Sequence, residues 1–255
     1  MRTYFFRLCF HEMKRLFLSG TTYVAGVLFL GLMLVFYWTI LQDYGHYDQS
    51  LNPTVAFTKV FWLPALYTIP LLTMRSIAEE RRLGTLELIL TSPIKPFVWV
   101  LSKFIAAYAL YLCFWALTLL FPILAIWSVK DSSAFTVLLN NEAIFGSYLF
   151  IALSSFLYVA LGIFSSSLTR SQLVAGMLSF TFLFIFILGS KLLESNALVF
   201  GAVSQDLSIV IDYLQTFEHL NDFSLGILDS RPFVFYLANG LLLLWTSSLV
   251  LEHRS

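Results

Sequence analysis

The chain has 255 residues, 59% of them hydrophobic and only 12% charged, with a mean hydropathy of +0.83. Soluble domains carry about 25% charge, so the composition excludes an ordinary water-soluble protein and requires an integral membrane protein. Basic and acidic residues balance at 15 each, which leaves bulk charge offering no case for a nucleic-acid partner. The two cysteines, Cys9 and Cys113, fall in different segments without metal-ligand spacing, and read as small apolar side chains.

Residues 1–17 hold Arg2, Arg7, Lys14 and Arg15 among apolar residues. Phe6, Phe10, Met13 and Phe17 repeat at helical spacing, while Arg7, His11, Lys14 and Arg15 take another face. That pattern predicts a basic amphipathic helix lying in the membrane interface; a frayed cytosolic tail is the alternative. The apolar run that follows is too long for a signal-peptide core and lacks a small-residue cleavage site, so it reads as a first span.

Six spans are expected, at about 21–41, 57–75, 98–128, 143–168, 172–190 and 232–251. Each can cross about 30 Å of hydrocarbon as a helix, the second and fifth only just, and the third is longer than the membrane needs. The predicted fold class is therefore all-α integral membrane, a single transmembrane domain over 1–255. With six spans both termini share a side. Placing them inside puts 11 of the 15 Lys and Arg residues in the cytoplasm, leaving Lys59, Lys130, Lys191 and Arg231 outside. No ionisable residue sits deep in a span; Lys59, Lys103 and Glu142 lie near ends. Ion-coupled transporters keep such groups at membrane depth, so a self-powered transporter is disfavoured. Protease, hydrolase and P-loop signatures are missing as well.

The densest charge lies between the second and third spans, in a cytosolic region over 76–97. The second span is expected to run on into water carrying Arg75, Glu79, Glu80, Arg81 and Arg82, with Arg75 and Glu79 four apart and able to pair. Gly84 suits the left-handed residue that ends a helix. Thr85 can cap a second short helix, Leu86 to Leu90, with Glu87 in its first turn. Thr91-Ser-Pro-Ile-Lys-Pro96 breaks it, and Pro96 suits the first turn of the third span. The short helix offers Leu86, Leu88, Ile89 and Leu90 around Glu87, which fits a partner's groove. An ordinary loop with its leucines resting on the membrane satisfies the same pattern.

The run Glu79-Glu-Arg-Arg-Leu-Gly-Thr-Leu-Glu-Leu-Ile-Leu-Thr-Ser-Pro-Ile, followed by Leu101-Ser-Lys-Phe104, resembles the signature of type-2 ABC exporter permeases. In that family an acidic start leads into Gly-Thr-(Leu/Ile)-Glu-x-Leu-Leu-x-(Ser/Lys)-Pro, and a Gly/Ser-Lys pair opens the third span. The resemblance implies an N-terminal elbow helix and a cytosolic coupling helix docking on a separate ABC ATPase subunit. It marks Glu79, Glu80, Arg81, Arg82, Gly84, Thr85, Leu86, Glu87, Leu88 and Leu90 as the coupling residues. It also implies a translocation path built by two permease chains as a homodimer, an auxiliary membrane or periplasmic subunit in some systems, and a place in the bacterial inner membrane. ATP and Mg belong to the partner ATPase, with no cofactor, metal or catalytic residue on this chain.

The fourth and fifth spans are joined only by Thr169-Arg-Ser-Gln172, so they are antiparallel neighbours. Ser154, Ser155, Gly162, Ser165, Ser166 and Ser167 give the fourth span small residues for close helix contact, or alternatively a polar lining. Residues 191–231 form the long external segment. Leu207, Val210, Ile211, Leu214 and Phe217 follow helical spacing and predict an outer interfacial helix between the fifth and sixth spans. Phe217-Glu-His-Leu-Asn-Asp-Phe-Ser-Leu-Gly-Ile-Leu-Asp229 resembles a pattern of gliding-motility-type permeases, with Leu220 and Ser224 where that subgroup often has Phe and Arg. One histidine, His219, beside Asp222 and Asp229 is too few for a metal site. Asp229 or Ser230 serves better as the cap of the last helix, with Pro232 in its first turn. Two functions compete: the membrane subunit of an ABC exporter, and a membrane scaffold that docks a soluble complex without moving anything.

Overall fold

Backbone polar groups in lipid must be satisfied within the segment, and every regular element among the described residues is a helix. The computed structural model describes residues 2–44, 52–85, 95–129, 141–200 and 216–253. In chain order the helices are α1 (Arg2–Phe17), α2 (Gly20–Tyr44), α3 (Pro53–Thr58), α4 (Trp62–Thr73), α5 (Ala78–Arg82), α6 (Pro96–Thr118), α7 (Leu120–Val129), α8 (Asn141–Leu168), α9 (Gln172–Phe200), α10 (Thr216–Ser224) and α11 (Ser230–His253).

Five stretches are long and apolar enough to cross a membrane as helix: Gly20–Asp43, Pro96–Trp127, Glu142–Leu168, Gln172–Gly189 and Ser230–Glu252. They coincide with the first, third, fourth, fifth and sixth expected spans, and the chain is a multi-pass membrane protein. The second expected span, 57–75, is not one helix. Asn52 caps α3 by accepting the Thr54 amide at 2.9 Å. The amides of Lys59, Val60 and Phe61 then bond back three residues, to Ala56, Phe57 and Thr58, which tightens the turn before α4. Pro70 inside α4 removes one donor from the helix, and the chain turns again at 74–77 before α5. Hydropathy counts apolar residues and is blind to such breaks.

The third span is also jointed, between α6 and α7. The Leu119 amide bonds Ala116 rather than a residue four back. Pro122, three residues on, has no amide to offer Thr118, and its ring crowds that carbonyl. Helix α9, which holds the fifth expected span, does not stop at residue 190, where the external segment is expected to begin; it continues to Phe200. The Thr169–Ser171 connection between α8 and α9 is as tight as expected.

Helix α8 is the hub. Within the bundle 72% of its apolar window is buried, against at most 33% for the other four long helices. It touches α3, α4, α5, α6, α9, α10 and α11. Gly162 permits its closest approach to α4, because a β-carbon there would collide with the Thr73 side chain. Aromatic rings fill much of the core: Phe29, Tyr111 and Trp115 pack between α2 and α6, and Phe150 packs on Phe61, Phe223 and Tyr236. The exposed faces are equally apolar, including Val27, Val35 and Trp38 on α2, Met177 and Ile185 on α9, and Leu241 and Trp245 on α11. That surface suits hydrocarbon and not water.

The bundle has two dissimilar ends. At one, α1 lies along α6 while α5 meets α8 and α9. At the other, α10 packs on α8 through the fully buried Leu220 and Phe223. Of the residues behind the expected outer helix, Phe217 belongs to α10 and is half-buried, while Leu207, Val210, Ile211 and Leu214 lie outside the described residues. Asp229 caps α11 as the sequence pattern predicts, its carboxylate accepting the Arg231 amide at 3.1 Å.

Candidate functional site

The charge-dense stretch begins on α5, a helix of five residues that follows the break after α4. Its residues go four separate ways. Glu79 pairs with Arg75 at 3.4 Å, the four-apart contact read from the sequence. Arg75 also donates to the Thr21 hydroxyl at the start of α2, at 2.6 Å. Arg81 reaches the last turn of α8 and donates to the Ser167 carbonyl at 2.7 Å, where a cation also complements the helix dipole. Arg82 and Leu83 are exposed. Glu80 turns inward.

Glu80 is the centre of a buried ion cluster. One carboxylate oxygen, Oε1, accepts from Lys103 Nζ at 2.6 Å and from Arg15 at 2.7 Å. Lys103 also bonds Glu12 at 3.0 Å, and Arg15 pairs with Glu12 at 3.1 Å. The Lys103 side chain is only 1% exposed, and its ammonium sits 4.6 Å from the centre of the Trp99 ring. Two anions and two cations thus cancel in a space closed by α1, α5 and α6. Burial by itself would lower the Arg15 pKa, but Glu12 and Glu80 outweigh it and raise it, so the guanidinium keeps its charge.

Cancellation is what makes the burial tolerable. Removing an ion from water costs several kcal/mol, recovered only when partners and hydrogen bonds are well placed. Here the lysine has two carboxylates and an aromatic face. Arg15, the most exposed member, lets the cluster meet solvent at one edge. Among the described residues the arrangement brings together no nucleophile and no acid–base pair at a cleft, and Arg15 reaches a small cavity that Ser19, Thr21, Arg75 and Glu79 also line. What it can do is mechanical. It fixes the segment leading out of α5 to the amphipathic N-terminal helix and to the third span at once.

The sequence pattern marked Glu79, Glu80, Arg81, Arg82, Gly84, Thr85, Leu86, Glu87, Leu88 and Leu90. The first six are described and lie together on or just after α5. Leu86, Glu87, Leu88 and Leu90, with Ile89, lie outside the described residues. Gly84 has φ +72°, the left-handed conformation expected of it, and ends the helical turn that closes with Leu83 bonding Glu79. The Thr85 hydroxyl donates backwards, to the Glu80 carbonyl at 3.2 Å. Pro96 opens α6 as expected. Two participants are not evident from the sequence. Lys103 stands out there as a cation near a span end and as the lysine of the Ser-Lys pair in the family resemblance, without a hint of its partners, and Glu12 is a lone acid in a segment dominated by its cations.

A second polar group lies at the opposite end, where Glu218, His219, Asp222, Asp229 and Arg231 line a shallow cavity. Burial lowers the His219 pKa from its usual value, with Asp222 and Asp229 pulling the other way. Among the described residues no three His, Cys, Asp or Glu side chains converge as a metal site.

Comparison with known families gives a match over much of the chain. The family model described as "ABC-2 family transporter protein" aligns with residues 36–209, more than half of the sequence. This interval contains α3 to α9, and with them Glu80 and Lys103. No curated protein matches the chain.

Proposed function

Because the chain belongs to the ABC-2 family of transporter proteins, we propose that it is the membrane-spanning permease subunit of an ATP-driven exporter, coupled to its ATPase through the cytosolic region over 76–97. Membership of this family supports reading it as a non-catalytic membrane subunit that partners an ABC ATPase. ATP and Mg act on that separate chain. Two copies of the permease form the translocation path as a homodimer, in a bacterial inner membrane with both termini in the cytoplasm. The broken run over 53–73 serves as the second of six spans, its α3 and α4 pieces joined by helical hydrogen bonds. Helix α1 acts as an interfacial elbow, a reading supported by the exposure of Phe6, Phe10 and Phe17. The outer interfacial segment between the fifth and sixth spans, an auxiliary subunit and the gliding-motility subgroup belong to the same reading.

The observation that carries the proposal is the Glu80–Lys103 bond. The segment leading to the expected docking helix, Leu86 to Leu90, is anchored on a buried lysine of the third span and on α1. Force applied at that segment therefore has a rigid path into the bundle. The test is co-purification of the permease with an ATPase that has no membrane span, followed by ATP hydrolysis and permease stoichiometry in lipid discs. Wild type is expected to bind the ATPase with two permease chains per complex and to stimulate hydrolysis. Reversing Glu87 to lysine is expected to weaken association by at least about tenfold, as charge reversal at a desolvated contact does. Binding without any stimulated hydrolysis or transport would favour the scaffold instead. Undiminished binding and hydrolysis in Glu87→Lys would remove the docking helix from the account.

A further inference from the structure

The break between α4 and α5 exposes backbone groups that neither helix can satisfy. Residues 74–77 turn the chain, and α5 is too short to absorb its own first amides. These groups are buried: Ile77 and Ala78 have no accessible surface, and Ser76 has almost none. A buried amide left without a partner is strongly unfavourable. One side chain on α8 resolves the problem. Ser166 Oγ accepts the Ile77 amide at 3.1 Å and the Ala78 amide at 3.1 Å. Its hydroxyl donates to the Met74 carbonyl at 3.3 Å. A single hydroxyl, itself 0% exposed, thus closes both sides of the break.

The neighbouring serines set this one apart. Ser165 and Ser167 are as buried as Ser166, yet Ser165 donates to Leu161 and Ser167 to Phe164, both on their own helix. Among the described residues, only the middle serine's hydroxyl reaches across. One turn earlier on the same face, Gly162 lets Thr73 approach, which brings the end of α4 within reach. From the other side, Arg81 donates to the Ser167 carbonyl. The end of α8 is therefore held to the α4–α5 break by three hydrogen bonds and a charge-assisted fourth.

We propose that Ser166 is a positioning residue for coupling: it locks the α4–α5 break into one geometry and joins the fourth span, the hub of the bundle, to the docking segment. Glu80 ties that segment to α1 and the third span. Ser166 ties it to the fourth, on the opposite flank. The break is then a defined joint with two fixed sides, and motion of the docking segment reaches α8 directly. This inference rests on the permease reading above.

The experiment uses full-length permease in lipid discs, first alone and then with its ATPase. Amide hydrogen exchange of the wild type is expected to be slow at Ile77 and Ala78, far slower than at the exposed Leu228. Ser166→Ala is expected to accelerate exchange at those two amides by about tenfold or more, the lower range for losing the partner of a buried donor. Ser165→Ala and Ser167→Ala remove equally buried hydroxyls and are expected to leave both amides slow. With the ATPase bound, Ser166→Ala is expected to lower stimulated hydrolysis at least fivefold with association unchanged, and Ser166→Thr, which keeps the hydroxyl, to recover most of it. Fast exchange at Ile77 and Ala78 in the wild type would overturn the proposal even if Ser166→Ala failed to accumulate. So would normal stimulated hydrolysis in Ser166→Ala, or an equal loss in Ser165→Ala. Slow exchange together with a wild-type permease that neither binds nor stimulates an ATPase would leave the joint standing and sink the transporter reading.

Discussion

At the scale of single residues, the decisive quantity is charge balance in a space closed to water. Lys103, Arg15, Glu12 and Glu80 sum to zero, and each substitution is judged by the charge it strands. Lys103→Met leaves two carboxylates against one guanidinium. It is expected to destabilise the permease by about 3–5 kcal/mol, the cost of an uncompensated buried charge. Glu12→Gln leaves a surplus cation, but Arg15 is half-exposed and water can reach it, so the loss is expected to be smaller. Combining the two restores neutrality through the Arg15–Glu80 pair. The double variant is therefore expected to be more stable than Lys103→Met alone, a non-additivity measurable by thermal unfolding in detergent. A double variant as unstable as the sum of the singles would mean that Glu12 and Lys103 act independently. His219 offers a test of the other end. Its folded pKa lies below the free value of 6.5, so the neutral ring contributes stability that is present above pH 6.5 and is lost as the pH falls through the folded pKa. Asp222 and Asp229 soften this loss, and the Tyr236 ring packs edge-on against the imidazole. The melting temperature is expected to fall as the pH drops below about 6.5, and to fall less in His219→Gln. Parallel curves for the two proteins would assign the pH dependence elsewhere.

At the scale of elements, the joint after α5 depends on one backbone conformation. Gly84 sits at φ +72°, and among the described residues no atom lies within 4 Å of where a β-carbon would stand, so these leave space for a side chain there. The obstacle is the left-handed backbone, which costs a β-branched residue on the order of 1–2 kcal/mol. Gly84→Val is expected to swing the chain out of that conformation and misdirect everything after it, abolishing ATPase pull-down while permease abundance stays normal. Gly84→Asn is expected to retain most binding, because asparagine tolerates the left-handed region. Equal binding by both variants would show that the turn at Gly84 does not aim the docking segment. This element was legible in the sequence because its signals are local: a glycine after a charged turn, a carboxylate four residues from an arginine, a proline opening α6. Five long spans and the tight turn before α9 were legible for the same reason. The broken second span was not, since Pro70 and the turn after Thr58 scarcely change a hydropathy sum. Glu12, Lys103 and Ser166 were hidden on different grounds. Their partners lie far along the chain, from 23 residues for Lys103 and Glu80 to 92 for Ser166 and Met74, and no periodicity reports such a pairing. Ser166 also stands between two serines that do only local work.

At the scale of the whole molecule, the question is which end faces the cytoplasm. The charged end gathers α1, α5, the start of α6 and the end of α8, and holds the buried cluster. The other end holds α10, with Glu218, His219, Asp222 and Asp229. Cations are retained inside and acidic residues count little, so the expected 11-to-4 division of Lys and Arg supports the proposal that the charged end faces the cytoplasm. The structure makes this orientation testable with one background. Cys9 and Cys113 are both free, so replacing them with alanine gives a cysteine-less protein without breaking a bridge. Single cysteines are then introduced at Leu88 and at Gln215. In intact cells an impermeant thiol reagent is expected to label position 215 and to leave position 88 untouched until the membrane is opened. A cysteine at Arg82, on the exposed face of α5, is expected to behave like position 88, because α5 is fixed to the same end by Glu80 and Arg81. Labelling of 82 and 88 from outside, with 215 protected, would invert the molecule and place the Gly84 turn where no cytosolic ATPase could reach it. Labelling of 82 and 88 on opposite sides would contradict the continuity of the segment itself.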